Sequence, residues 1–158
     1  MNLENYQNPD VIRRTLDLKT VALVGLSSND LRASNFVGRY LLRHGYVVYP
    51  VNPRETSILG QPCFPSIGEI GQPVDIVDVF RRPDAVPDIA REAVDAGARC
   101  LWLQYGVISE TGAGIAEAGG LDVVMDRCLK VEHARYLGRM HWLGMNTGRI
   151  SAVRCPVE

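Results

Sequence analysis

No apolar run in this sequence approaches the roughly 18 residues of a membrane-spanning helix. Its first residues, Met1-Asn2-Leu3-Glu4-Asn5, lack the basic stretch and apolar core of a secretory signal. The four cysteines, Cys63, Cys100, Cys128 and Cys155, are far apart and form no C-x-x-C pair. That spacing argues against a disulfide framework or a zinc site, and for reduced thiols in a cytoplasmic protein. Neither sign of charge is in excess: 17 basic residues stand against 18 acidic ones. No global field therefore gathers nucleic acid or an anionic membrane, and any bound anion must be held by a few placed groups.

What is present is an ordinary globular composition, 46% hydrophobic and 22% charged over 158 residues. It suits one domain with its own core, without disulfide or metal staples. Short apolar runs alternate with amphipathic stretches. Val21–Val24, Tyr46–Val51, Val74–Phe80, Cys100–Leu103 and Leu121–Met125 are rich in Val and Leu, and read as strands buried on both faces.

Helical spacing recurs between the strands. Phe36, Val37, Tyr40 and Leu41 precede Gly45, and Val86, Ile89, Ala90, Ala93 and Val94 precede Gly97. A weaker helix is expected over residues 111–119. An N-terminal helix is expected to open at Asn8-Pro9, a cap residue followed by proline at the first helical position. Residues 54–73 read as a loop holding one short edge strand near Cys63-Phe64. The whole predicts an α/β fold: a three-layer, doubly wound parallel sheet with strand order 3-2-1-4-5-6, the edge strand counted third. No repeat or linker is visible, so residues 1–158 form a single domain.

Such sheets bind ligands beyond the carboxyl ends of their strands, near the point where strand order reverses. The first strand runs into Gly25-Leu26-Ser27-Ser28-Asn29-Asp30, with Arg32 and Ser34 before a helix. This is the place of a dinucleotide phosphate loop, but it is not G-x-G-x-x-G; small hydroxyl residues replace the later glycines. Backbone N–H groups there still suit a phosphate, although a plain β–α turn reads the same way. The second strand ends in Val51-Asn52-Pro53-Arg54, without the acid that bonds the ribose of NAD. A neutral amide and a cation fit a phosphorylated ribose better. The third ends in Phe80-Arg81-Arg82-Pro83, where guanidinium forks match phosphate oxygens, or solvent. The fourth ends in Gln104-Tyr105-Gly106, where an amide can fix a polar ligand group.

After the last strand comes Asp126-Arg127-Cys128-Leu129-Lys130-Val131-Glu132-His133. A cysteine flanked by Arg127 and Lys130 suggests a lowered pKa; a small buried thiol is the structural alternative. His133 gives too little for a Cys-His pair or a metal site, and His141-Trp142 reads as packing. No catalytic set and no metal site is expected. A receiver-type signalling domain needs acids after the first strand, and Gly25 to Ser28 supplies none. The acids Glu92, Asp95 and Glu117 fall on helices away from the basic groups Arg32, Arg54, Arg81, Arg82 and Lys130.

Taken in order, these stretches resemble the small single-domain CoA-binding proteins, whose fold is similar to the CoA-binding domain of the succinyl-CoA synthetase α subunit. The likeness covers Val21–Ser28, Gly45–Pro53, Asp75–Pro83, Trp102–Gly106 and Val123–His133, a core of about residues 20–133. The N-terminal helix lies outside it, and a C-terminal extension includes Gly144-Met145-Asn146-Thr147-Gly148. Leu26 departs from the alanine frequent in the family's Gly-Ala-Ser-Ser loop.

The resemblance implies a Rossmann-like fold binding coenzyme A or an acyl-CoA as a small-molecule ligand. Its phosphates would lie near Gly25, Ser27, Ser28, Arg32 and Ser34. The adenosine end would meet Val51, Asn52, Pro53, Phe80, Arg81 and Arg82, and the pantetheine arm would pass Gln104 and Gly106. Cys128 matches a family cysteine. The synthetase carries its phosphohistidine on a further domain, for which this chain has no room, so binding without catalysis is expected. Two other uses of the crevice stay open: an NADP-dependent oxidoreductase or redox sensor, and a thiol function in which Cys128 forms a mixed disulfide with CoA. A homo-oligomer is compatible with the sequence.

Overall fold

The protein is described from a computed structural model, which describes residues 1–138. The expectations placed on His141-Trp142, Gly144–Gly148 and Cys155 lie outside the described residues.

Five parallel strands form the sheet: β1 (Thr20–Val24), β2 (Val47–Val51), β5 (Ile76–Val79), β6 (Cys100–Leu103) and β7 (Asp122–Met125), in the order β2-β1-β5-β6-β7. Val21 stands between Val48 and Ile76, and Asp78 lies beside Trp102. Strand order reverses between β1 and β5, so the loops leaving those two strands flank the switch point.

The expected sixth strand at the edge is reduced. Phe64 forms one parallel bridge to Val51, its N–H donating to Pro50 O while its carbonyl accepts from Asn52 N–H, both at 2.9 Å. Pro62 and Pro65 bracket it and have no N–H to extend a ladder. The residues before it turn back as a small antiparallel hairpin, β3 (Ser57–Ile58) with β4 (Gln61–Pro62).

Alternate residues along each strand feed two cores. Ala22, Val77 and Leu101 pack with Ile89 and Ala93 of α3 (Val86–Asp95) and Ala113 and Ala116 of α4 (Glu110–Ala118). Leu23, Ile76 and Trp102 pack with Leu16 of α1 (Pro9–Leu16), Val37 and Leu41 of α2 (Ala33–Arg43) and Leu129 of α5 (Leu129–Tyr136). The three layers follow from this two-sided burial. Asn8 caps α1 as expected, its side chain accepting from Asp10 N–H with Pro9 next in line.

Helix α5 was not foreseen. Its buried residues include Glu132, His133 and Arg135, so no apolar stripe marks it. Glu132 is held by Arg135 at 3.4 Å and Arg127 at 3.7 Å. Paired charges thus do what an apolar face does elsewhere.

Candidate functional site

The loop after β1 owes its shape to Gly25. Its φ is +88°, and a Cβ there would lie 2.4 Å from the carbonyl oxygen of Phe80. Only glycine lets the β1 and β5 exits approach this closely. Beyond it, Ser27 N–H donates to Ser34 Oγ and Asn29 N–H to Ser27 Oγ, both at 3.1 Å. Asn35 Nδ2 donates to Ser27 O at 2.8 Å. The serine hydroxyls thus build the loop. Arg32 is exposed at the start of α2, which has no side-chain cap.

Two contacts tie this loop to the one after β2. Asn52 Nδ2 donates to Leu26 O at 3.1 Å, and Ser28 N–H donates to Glu55 Oε2 at 3.2 Å. Glu55 stands beyond Pro53 and Arg54, outside the strand end at which a ribose-binding acid is sought. Asn52 Oδ1 accepts from Arg54 N–H at 2.9 Å, and this turn brings the chain back toward the first loop.

Arg81 and Arg82 leave β5 exposed to solvent, so neither bears a burial cost; Arg82 lies 3.7 Å from Asp84. Gly106 N–H donates to Asp126 Oδ1 at 2.8 Å, which locks the β6 exit to the β7 exit.

A cleft of about 650 Å³ opens at these strand ends. Helix α2 contributes Ala33, Phe36 and Val37, β5 leads to Phe80, Arg81 and Arg82, and β6 leads to Gln104 and Gly106; Cys128 and Lys130 close it. A smaller groove of about 190 Å³ lies beside it, lined by Val24, Val51, Pro53 and Arg81 among others. Arg81 borders both. Six expected residues, Phe80, Arg81, Arg82, Gln104, Gly106 and Cys128, therefore share one cleft, while Val51 and Pro53 face the second. Gly25, Ser27, Ser28, Arg32, Ser34 and Asn52 line neither; of these, the serines and Asn52 form the bonded loops. Glu92 is not remote as expected: with Asp88 it borders the smaller groove, because α3 begins one short 3-10 turn, Pro83–Ala85, after the arginines.

Of the two readings of Cys128, an activated thiol or a small buried one, its surroundings favour the buried one. Its thiol is buried, and burial pushes it up to about 11; the Asp78 carboxyl adds to this against a smaller pull from nearby backbone N–H groups and Lys130. Arg127 is engaged elsewhere, donating to Gln7 Oε1 at 2.9 Å and to Asp126 O. Lys130 lies over the Phe36 and Tyr40 rings. Cys128 is therefore expected to react with iodoacetamide at neutral pH roughly two orders of magnitude more slowly than a free cysteine thiol. Peptide mapping of a time course checks this, and rapid labelling of Cys128 would restore the activated-thiol reading.

Sequence reading missed Asp78. It is fully buried in β5, accepts from Gln104 Nε2 at 2.7 Å through Oδ1, and has no partner for Oδ2. Burial pushes its carboxyl up to about 7, the Gln104 bond opposing. The signal was present: an acid in the middle of a run read as buried on both faces breaks the pattern. Asp75, at the strand entrance, is different, for it accepts from Thr20 Oγ1 at 2.9 Å.

A doubly wound sheet with a cleft at its strand ends, near where strand order reverses, defines a Rossmann-like domain with its cleft where such folds hold ligands. Within that class, the chain belongs to the CoA binding domain family, which matches residues 19–134. It is 37% identical over 134 residues to the uncharacterized protein YneT of Bacillus subtilis (strain 168), covering 81% of this chain and 97% of that one. A solved structure, a hypothetical protein from Pyrococcus horikoshii OT3, superposes with a TM-score of 0.83 at 37% identity, covering 87% and 98% of the two chains. The ADP-forming acetate–CoA ligase I of Archaeoglobus fulgidus is 30% identical over 121 residues, 70% of this chain but 18% of the ligase. The match to the ligase is thus to one part of a much longer protein. Among the described residues, no helix is long and apolar enough to cross a membrane.

Proposed function

We propose that this protein binds coenzyme A or an acyl-CoA at the carboxyl ends of its strands, as a binding module that catalyses no reaction itself. The observation that carries the reading is Arg81 standing between two recesses of unequal size, in a chain of the CoA binding domain family. Coenzyme A has a matching division: a long pantetheine arm and an adenosine head joined by a diphosphate. The arm takes the larger cleft, past Phe80, Gln104, Gly106 and Cys128. The head takes the groove at Val51 and Pro53, and the phosphates lie by Arg81; at the Ser27-Ser28 loop the N–H groups already serve Ser34 and Glu55, so a phosphate that uses Ser28 N–H must displace the Glu55 carboxylate. Phe80 then serves the arm, and not the adenine as the resemblance suggested. Arg32, Arg54, Arg82 and Lys130 supply further positive charge, and Ser34 and Asn52 keep the loops in place. The protein works in the cytoplasm on this reading, and its free thiols at Cys63, Cys100 and Cys128 fit a reducing compartment.

Calorimetry with CoA and dephospho-CoA tests the proposal. Loss of one charge-assisted contact is worth about 1.5–3 kcal/mol, so CoA is expected to bind at least tenfold more tightly. Equal affinities would remove the basic groups from the adenosine end. Tight binding of NADP that CoA does not displace would favour the oxidoreductase reading instead.

A further inference from the structure

The buried Asp78 has no task in the site as described so far. A carboxyl group without access to water is costly to keep, and one with an unpartnered oxygen more so. Its one side-chain partner is Gln104, which is itself almost fully buried yet borders the large cleft. Glutamine has a donor end and an acceptor end. Above about pH 7, where the buried Asp78 is ionised, its carboxylate only accepts and so fixes which end faces it: at 2.7 Å, Nε2 turns to Asp78 and Oε1 turns away. Among the described residues, Gln104 Oε1 has no hydrogen-bond partner, and it is not among the buried atoms left without one. The oxygen is therefore reached from outside, and the cleft is the opening that Gln104 borders.

We propose that Asp78 is a positioning residue for the cleft: by taking the Gln104 amide hydrogen, it leaves Oε1 as a fixed acceptor for a neutral hydrogen-bond donor on the ligand. An amide N–H or a free thiol is such a donor, and the pantetheine arm of CoA carries both. This deepens the CoA reading and rests on it. A thioester keeps the amides and loses the thiol, so one carboxyl behind the wall of the cleft bears on whether free and acylated CoA are told apart. D78N removes the enforced orientation, because asparagine can present either a donor or an acceptor to Gln104 and the amide can then turn over.

The test is a double-mutant cycle read by CoA affinity at pH 8, where Asp78 is ionised, using D78N, Q104L and the double variant. D78N is expected to weaken CoA binding roughly three- to tenfold when Gln104 is present, and to have no effect in the Q104L background. A role limited to support of the fold would weaken both backgrounds alike, and that additive result overturns the proposal. Repeating the wild type and D78N with acetyl-CoA locates the donor. An equal loss supports an amide N–H, and a loss confined to CoA supports the thiol. Should Q104L not fold, the side-chain amide resonances of Gln104 decide in the wild type and D78N. They are expected to shift when CoA is added to the wild type and to shift less in D78N; a Gln104 signal unmoved by bound CoA overturns the proposal. If CoA fails to bind the wild type at millimolar concentration, the CoA reading falls, and this inference with it. Additive losses with intact CoA binding would sink the inference alone.

Discussion

Gly25→Ala is expected to lower the free energy of unfolding by about 2–4 kcal/mol, a large loss for one methyl group. Part of it is backbone conformation, since φ is +88° and an L-residue there costs roughly 1–2 kcal/mol. The rest is collision. The Phe80 carbonyl oxygen would lie 2.4 Å from the new carbon, and it belongs to a segment pinned by the Phe80 N–H bond to Val24 O at 2.8 Å. A backbone atom held in this way cannot move aside as a side chain can. Gly45 provides the control: its φ is +84°, and a Cβ there would meet nothing within 4 Å. Gly45→Ala should therefore lose only the conformational part, about 1 kcal/mol. Urea denaturation of both variants separates the two effects, and equal losses would show that the β1–β5 approach is not tight.

Asp78→Asn is expected to change how stability depends on pH. In the unfolded chain an aspartate releases its proton near pH 4, whereas burial in the folded protein pushes Asp78 up to about 7. Between those values the folded state holds a proton that the unfolded state has lost. Stability of the wild type therefore falls as pH rises, by about 1.4 kcal/mol per unit from this group. Above pH 7 both states are ionised, and the slope disappears with the full penalty in place. The asparagine variant lacks this slope. Its advantage over the wild type should grow from pH 4 to pH 7 to something on the order of 4 kcal/mol, then level off. Parallel curves across that range would mean that Asp78 titrates as an ordinary carboxylate.

Much of the fold was legible because each strand is a short, mostly apolar run and each of the first four helices has a stripe, a cap or a terminal glycine. What failed to show was structure built from polar pairs. Helix α5 buries Glu132 and Arg135 against one another, and periodicity of apolar residues is blind to that. The short edge strand expected near Cys63-Phe64 is a single bridge at Phe64, since Pro62 and Pro65 allow no more. In the site, strand ends could be read as neighbours because parallel topology puts them on one rim. Which atoms meet is a matter of tertiary packing. The Ser28 N–H bond to Glu55 and the Gln104 bond to Asp78 join residues 27 and 26 positions apart, beyond the reach of any local pattern. The choice between the two readings of Cys128 could not be made for a related reason. Sequence neighbours suggested a cationic setting, whereas burial decides its chemistry.

The single bridge at Phe64 also governs how this sheet can meet other proteins. An open sheet has two edges, each a template on which another strand can continue the ladder. Here one border is occupied by the Phe64 segment, with prolines at 62 and 65 interrupting any further pairing. Along the other, Gln7 reaches in from the N-terminal segment and its Nε2 donates to Met125 O of β7 at 3.2 Å. Both borders are thus blunted, by different devices. Among the described residues, a strand added at either border would have to displace the Phe64 segment on one side or the Gln7 bond on the other.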